Sequence, residues 1–94
     1  NSNVADVELY RVTTSLPERL TNVEVGHVET VFSELLESLA TSHLRLADQS
    51  WVIEALFDFE PNRAVIMGLL DQPLRALGLS DIELEISLLE QRDR

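Results

Sequence analysis

The 94-residue sequence has no cysteine and no lysine, few glycines and prolines, and no long apolar run. Without cysteine, it can hold no disulfide framework, thiolate metal site or thiol nucleophile. No segment approaches the roughly 20 apolar residues that cross a bilayer. We therefore expect a protein without a membrane partner, and we predict a cytoplasmic location.

Glycines are too few and too scattered to build a phosphate-binding loop. They stand alone at positions 26, 68 and 78, so there is no GxGxxG or GxxxxGK[ST] motif. The pocket for S-adenosylmethionine also needs a glycine-rich turn from strand to helix. The two histidines, His27 and His43, lack the spacing of a zinc site. We predict no catalytic residue, cofactor site or metal site within this chain.

The charge is strongly one-sided, with 17 acidic residues against seven basic ones and a net charge of -10. Binding to nucleic acid through its phosphates requires clustered basic side chains, so this class of partner is excluded. A basic protein partner fits the charge better. The alternative is that the excess of acid only keeps a small domain soluble.

The length and apolar content predict one folded domain. A chain of this size with 45% hydrophobic residues buries enough surface to fold alone. We assign residues 8–94 to this domain and residues 1–7 to a tail outside it, either disordered or carried over from cloning. Because the chain begins with Asn instead of Met, we expect a processed terminus or a domain taken from a longer protein.

Alternating and helical spacings of apolar residues predict six elements. Two possible capping boxes, Ser15-x-x-Glu18 and Thr21-x-x-Glu24, leave the start of the first helix open. Gly26 weakens a continuous helix, so we place a loop or short turn at 15–24. The predicted elements are a strand at 8–14, a helix from 28 to 39, strands at 43–47 and 51–60, a helix from Pro61 to Gly78, and a strand at 82–88.

Side-chain directions follow from the same patterns. In the first helix the predicted buried stripe extends to Leu35 and Leu39. In the second strand Leu44 and Leu46 are predicted to point inward and Arg45 outward. The third strand should carry the following inward set: Trp51, Ile53, Ala55, Phe57 and Phe59. Pro73 is expected to kink or divide the second helix near Asp71, and Gly78 to end it in a left-handed conformation.

The element order β-α-β-β-α-β predicts an α+β protein with the ferredoxin-like fold. Right-handed crossovers give a four-stranded antiparallel sheet in the order 4-1-3-2, with both helices on one face. The other sheet face is then left without helices.

That uncovered face is the predicted binding surface, because it mixes charged and apolar side chains. Trp51, at the start of a central strand, is a candidate anchor, although a place in the core or at its rim is the more ordinary role for such a residue. The alternative for the charged residues is surface ion pairing that keeps the face wet. The predicted protein-binding residues are Arg11, Arg45, Trp51, Glu54, Leu56, Glu83 and Glu85.

Several segments resemble the N-terminal domain of PrmA-type ribosomal-protein methyltransferases. They are Trp51-Val-Ile-Glu-Ala-Leu-Phe-Asp-Phe-Glu-Pro-Asn-Arg-Ala, the later Ala-Leu-Gly-Leu, and Glu85-Ile-Ser-Leu-Leu-Glu-Gln-Arg-Asp, with a compatible Leu9-Tyr-Arg-Val-Thr-Thr. The resemblance implies a ferredoxin-like module that positions a basic protein of the ribosomal large subunit. It also implies a C-terminal catalytic domain that uses S-adenosylmethionine. It assigns no catalytic residue to this chain.

A second function remains open from the fold alone. Other ferredoxin-like modules sense small molecules or self-associate by pairing sheets or edges. The sequence therefore predicts either a recognition domain for a basic protein or a domain that forms a homodimer.

Overall fold

The computed structural model describes residues 8–80 and 82–89, and it confirms an α+β domain with two helices and a four-stranded antiparallel sheet. The predicted tail 1–7 and the closing residues 90–94 lie outside the described part. The elements are β1 (Leu9–Leu16), α1 (Asn22–Thr30), a π-helical turn (Val31–Leu35), β2 (Ala40–Arg45), β3 (Trp51–Phe57), α2 (Arg63–Ala76) and β4 (Leu84–Leu89).

The sheet has the strand order β2-β3-β1-β4, and all neighbouring strands are antiparallel. In β3 every second residue is buried, as the alternation of an apolar and a mixed face predicts. Both helices pack on the buried face and share one core with the sheet. That core consists of Val12, Leu16, Leu20, Val25, Val28, Val31, Phe32, Trp51, Ile53, Ala55, Phe57, Ile66, Leu70, Leu74 and Leu84.

Helix α1 begins earlier than predicted, at Asn22, and the predicted loop at 15–24 is therefore too long. The second of the two possible capping boxes is the one that forms. Thr21 Oγ1 accepts a hydrogen bond from the Glu24 amide at 3.2 Å, and the Glu24 carboxylate accepts one from the Thr21 amide at 2.8 Å. Two otherwise unpaired amides are satisfied, which stabilises a helix that continues through Gly26. The first candidate box falls at the end of β1, which extends to Leu16.

The end of this helix widens into a π-helical turn, and the predicted buried stripe is wrong at Leu35 and Leu39. In the turn the Leu36 amide donates to the Val31 carbonyl at 3.1 Å, a separation of five residues. The extra residue per turn keeps Leu36 partly buried and rotates Leu35 toward solvent. Leu35 and Leu39, both predicted to be inward, are 60% and 57% exposed.

The second strand lies three residues earlier than predicted, and its faces are reversed. Arg45 is the register partner of Trp51. Directly paired residues lie on the same sheet face, so Arg45 points to the helix side. Leu44 points to the opposite side and is 52% exposed, and Leu46 falls in the hairpin loop at 40% exposure.

The other boundaries shift by a few residues. Strand β3 ends at Phe57, so Phe59 lies in the following loop and is 47% exposed instead of inward. Helix α2 begins at Arg63 and not at Pro61, and Asn62 caps it, because its Oδ1 accepts hydrogen bonds from the amides of Ala64 and Val65. Helix α2 continues through Pro73 without being divided. Gly78 has the predicted left-handed φ of 78°.

The π-helical turn generates a paired prediction. Phe32→Ala should destabilise the protein by about 3 to 5 kcal/mol, because the side chain is fully buried and leaves a cavity. Leu35→Ala, three residues along the same turn, should change stability by less than about 0.5 kcal/mol. Urea unfolding followed by circular dichroism measures both. Equal losses of stability in the two variants would contradict the observed burial of Phe32 and exposure of Leu35.

The hairpin between β2 and β3 generates a prediction about acid stability. The Ser50 hydroxyl and amide donate to Asp48 Oδ1 at 2.6 and 3.0 Å, and these bonds lower the pKa of the Asp48 carboxyl. Because this pKa is lower in the folded state than the unfolded value of about 3.9, the ionised carboxyl stabilises the fold at pH values above about 3.9. This stabilisation is lost as the pH falls through the folded-state pKa. Asp48→Asn should therefore lose less stability than the parent between pH 5 and pH 2, as measured by urea midpoints. A larger acid loss in the variant would contradict this.

Candidate protein-binding surface

The sheet face opposite the helices is uncovered in the described part of the chain, and we call it the open face. Its side chains fall into rows across the strands, as the register shows. One row reads Ser42, Glu54, Thr13 and Glu85. The next reads Ala40, Leu56, Arg11 and Ser87. The first row alternates hydroxyls and acids, and the second runs from apolar to polar side chains, so acids, hydroxyls and apolar groups meet on one surface.

A single ion pair lies near the middle of this face. Arg11 Nη1 is 3.6 Å from Glu54 Oε2, and both side chains are a little under half exposed. Glu85 pairs in register with Thr13, two residues from Arg11, and so occupies the diagonal position on the other side. The pair is of the kind expected under the alternative of surface ion pairing, and it leaves the predicted binding role of these residues a prediction. An exposed pair of this kind contributes roughly 0 to 1 kcal/mol to stability, so it holds the Glu54 carboxylate only weakly.

Apolar side chains flank the ion pair. Val52 and Leu56 on β3 are half-buried, and Leu44, the register partner of Val52, is mostly exposed. Leu9 lies at the far end of β1, where it pairs with Leu89. These side chains give the open face the mixture of apolar area and polar groups that is typical of protein interfaces.

Glu83 and Glu85 extend the acidic part of the surface around the β4 edge. Together with Thr13, Ser15 and Arg63 they line a cavity of about 460 Å³. Glu83 precedes β4 instead of lying within it, but its backbone is anchored because Thr14 Oγ1 donates to its carbonyl at 2.8 Å. Carboxylates and hydroxyls accept hydrogen bonds, so this edge is suited to cationic or amide donors.

Two of the predicted binding residues lie away from the open face: Trp51, which points inward as predicted, and Arg45, whose predicted outward direction is wrong. Trp51 is buried, and its Nε1 donates to the Leu20 carbonyl at 2.9 Å. The Arg45 guanidinium lies 4.1 Å from the centre of the Trp51 ring and donates to the Gln49 carbonyl at 2.9 Å. Both residues lie on the helix side, where they hold the hairpin against the β1–α1 loop.

The structure thus brings together Arg11, Glu54, Leu56, Glu83 and Glu85 and separates Arg45 and Trp51 from them. It adds Leu44 and Thr13, which the sequence reasoning missed. The outward direction of Leu44 follows from the direction of β3. Once Trp51 and Ile53 are placed inward, their hairpin partners on β2 must point inward as well, and Leu44, which lies between those partners, must point outward.

The corrected role of Arg45 generates a matched prediction. Arg45→Lys should cost about 1 kcal/mol of stability, because an ammonium cannot both stack on the indole and reach the carbonyls that the guanidinium contacts. Arg11→Lys should change stability by less than about 0.5 kcal/mol, because its ion pair is exposed. Urea midpoints for the two variants provide the test. The Arg45 role is wrong if its variant is as stable as the Arg11 variant.

Known proteins and simple site criteria add little to this geometry. No family model matches the sequence, and no curated protein matches it. Within residues 8–80 and 82–89, no group of three or more His, Asp or Glu side chains is arranged to hold a metal ion. Over the same residues, no helix has the length and apolarity needed to cross a membrane.

Proposed function

We propose that this chain is a non-catalytic recognition domain of the ferredoxin-like type that binds a basic protein through its open face. The strand order β2-β3-β1-β4, with both helices on one side, supports the fold assignment. This arrangement leaves a whole sheet face available for contact. The observation that carries the proposal is the joint presence of acids and apolar side chains on that face.

The charges of the open face favour a cationic partner. Glu54 and Glu85 are exposed or half-exposed, and Arg11 is the basic side chain that neutralises part of their charge. The whole chain carries a net charge of -10, which attracts a basic protein at long range and steers its approach. Val52 and Leu56 supply apolar area for the close contact.

The same charge disfavours the alternative of a homodimer through the open face. Two copies would each bring a net charge of -10, and they would oppose acidic rows to acidic rows. Like charges placed opposite one another across an interface are destabilising. A basic partner therefore fits the face better than a second copy.

The resemblance to the N-terminal module of PrmA-type methyltransferases suggests which basic protein to test. Under this proposal the partner is a stalk protein of the ribosomal large subunit. The domain presents it to a catalytic domain that binds S-adenosylmethionine. The chain's own role is to bind and orient the substrate protein, which requires no nucleophile or general base within it.

The proposal is tested by titrating the isotope-labelled chain with a basic large-subunit stalk protein. We expect saturable amide shifts at Arg11, Glu54, Leu56 and Glu85, and smaller shifts on the helix side. The double variant Glu54→Gln/Glu85→Gln should bind about three-fold or more weakly, because it removes two charges that face the partner. Calorimetry or the same titration gives the affinities.

The matched control is Glu18→Gln/Glu34→Gln, which changes the net charge equally at exposed positions outside the open face. It should bind as the parent does. Equal weakening in both double variants would mean that only the net charge matters and would contradict the proposed face. A stable dimer in sedimentation, formed through the open face, would favour the self-associating alternative instead.

A further inference from the structure

A second surface lies on the helix side of the sheet, where β1 begins and β3 and β4 end. Tyr10 is the register partner of both Phe57 and Leu88. The rings of Phe57 and Phe59 meet edge to face, with centroids 5.4 Å apart. We call this group, Tyr10, Phe57, Phe59 and Leu88, the aromatic corner. Phe57 is buried in the core and Tyr10 is partly buried, whereas Phe59 and Leu88 are 47% and 58% exposed, so the accessible part of the corner is formed by Phe59, Leu88 and the edge of Tyr10.

Carboxylates lie next to residues of the aromatic corner, in space or along the chain. Tyr10 Oη donates to Glu8 Oε1 at 3.2 Å. Asp58 and Glu60 flank Phe59 in the chain, and both are exposed. The pKa of the Tyr10 phenol is raised, first by its partial removal from water, then by Glu8 and finally by the charge of Glu60.

There is also space at Glu60, one residue from Phe59 in the chain. A cavity of about 560 Å³ lies between Glu60, the first turn of α2 and Ile86 of β4. Arg63 lines this cavity, but its Nη1 donates to the Leu84 carbonyl at 2.7 Å, which directs the guanidinium along β4. Among the described residues near the corner and this cavity, the carboxylates of Glu8, Asp58 and Glu60 stand against the guanidinium of Arg63.

From this arrangement we infer that the aromatic corner binds an arginine or lysine side chain of a protein partner. An aromatic ring face attracts a cation through its quadrupole, and arginine stacks on such rings through its planar guanidinium. The alkyl stem of either side chain packs on Leu88, while the carboxylates compensate the charge. The inference rests on the proposed function in taking the partner to be a basic protein, but it concerns a site on the other side of the sheet.

The test uses N-acetyl-arginine methylamide as the probe, so that it does not depend on the partner's identity. Titrated into the labelled 94-residue chain, the probe should shift the amides of Tyr10, Phe59 and Leu88 saturably. The citrulline analogue, which has the same shape without the charge, should not do so. Added salt should weaken the arginine probe, because the carboxylates are exposed.

Variants at exposed positions separate the contributions. Phe59→Leu keeps apolar volume but removes the ring, and it should weaken the probe about two- to five-fold, as expected for an exposed cation–π contact. Glu60→Gln should weaken it about two-fold. Glu34→Gln, the matched charge control on the π-helical turn, and the open-face variant Glu54→Gln/Glu85→Gln should both leave it unchanged.

Three results would overturn the inference. The first is equal shifts from the citrulline analogue, and the second is unchanged affinity for the arginine probe in both corner variants. The third is probe binding that appears only after Arg92→Gln/Arg94→Gln, which would mean that the chain's own arginines occupy the corner. If the probe does not bind at the corner but the basic protein still binds at the open face, the proposed function stands. Binding at the corner without any effect at the open face would support this inference and overturn the proposed face.

Discussion

The structure depends on the pairing of β1 with β3 at the centre of the sheet. Their seven register pairs place Val12 beside Ala55 and Leu16 beside Trp51 on one face. Because side chains alternate strictly along a strand, this pairing assigns every residue of both strands to one face or the other. The helices then cover the apolar set, and the mixed set becomes the open face. Both the core and the candidate binding surface are consequences of one register.

The same rule explains what the sequence predicted well and what it did not. The alternation in β3 is strong enough to read directly, and the stripe of α2 gives Ile66, Leu70 and Leu74, which are buried. In β2, however, Leu44 and Leu46 suggested an inward set by hydrophobicity alone. The register with β3 reverses that choice. The inward Arg45 is stabilised by stacking on the Trp51 ring and by its hydrogen bond to the Gln49 carbonyl.

The π-helical turn was not accessible to the sequence reasoning for a different reason. A spacing of three and four residues fits an α-helix, and Leu35 and Leu39 extend it naturally. The residue types in this segment do not predict a helical turn with an extra residue. The turn is a tertiary result, because the chain must leave the helix at Leu36 and reach the edge strand, where the Leu39 amide donates to the Leu56 carbonyl at 2.7 Å. Four of the seven predicted site residues nevertheless lie on the open face, because β1, β3 and β4 carry them and those strands were assigned the correct faces.

Acidic side chains end up on both sides of the sheet, and the fold gives the reason. The helices cover only part of the inward face, so the end of the sheet near Tyr10 stays exposed and carries Glu8, Asp58 and Glu60. The open face carries Glu54 and Glu85 in a row that crosses all four strands. A partner that bound only through net charge would not distinguish these two surfaces. They differ in what accompanies the acid: aliphatic side chains on the open face and aromatic rings at the corner. A basic partner with an apolar segment therefore has reason to lie on the first, and a single cationic side chain has reason to enter the second.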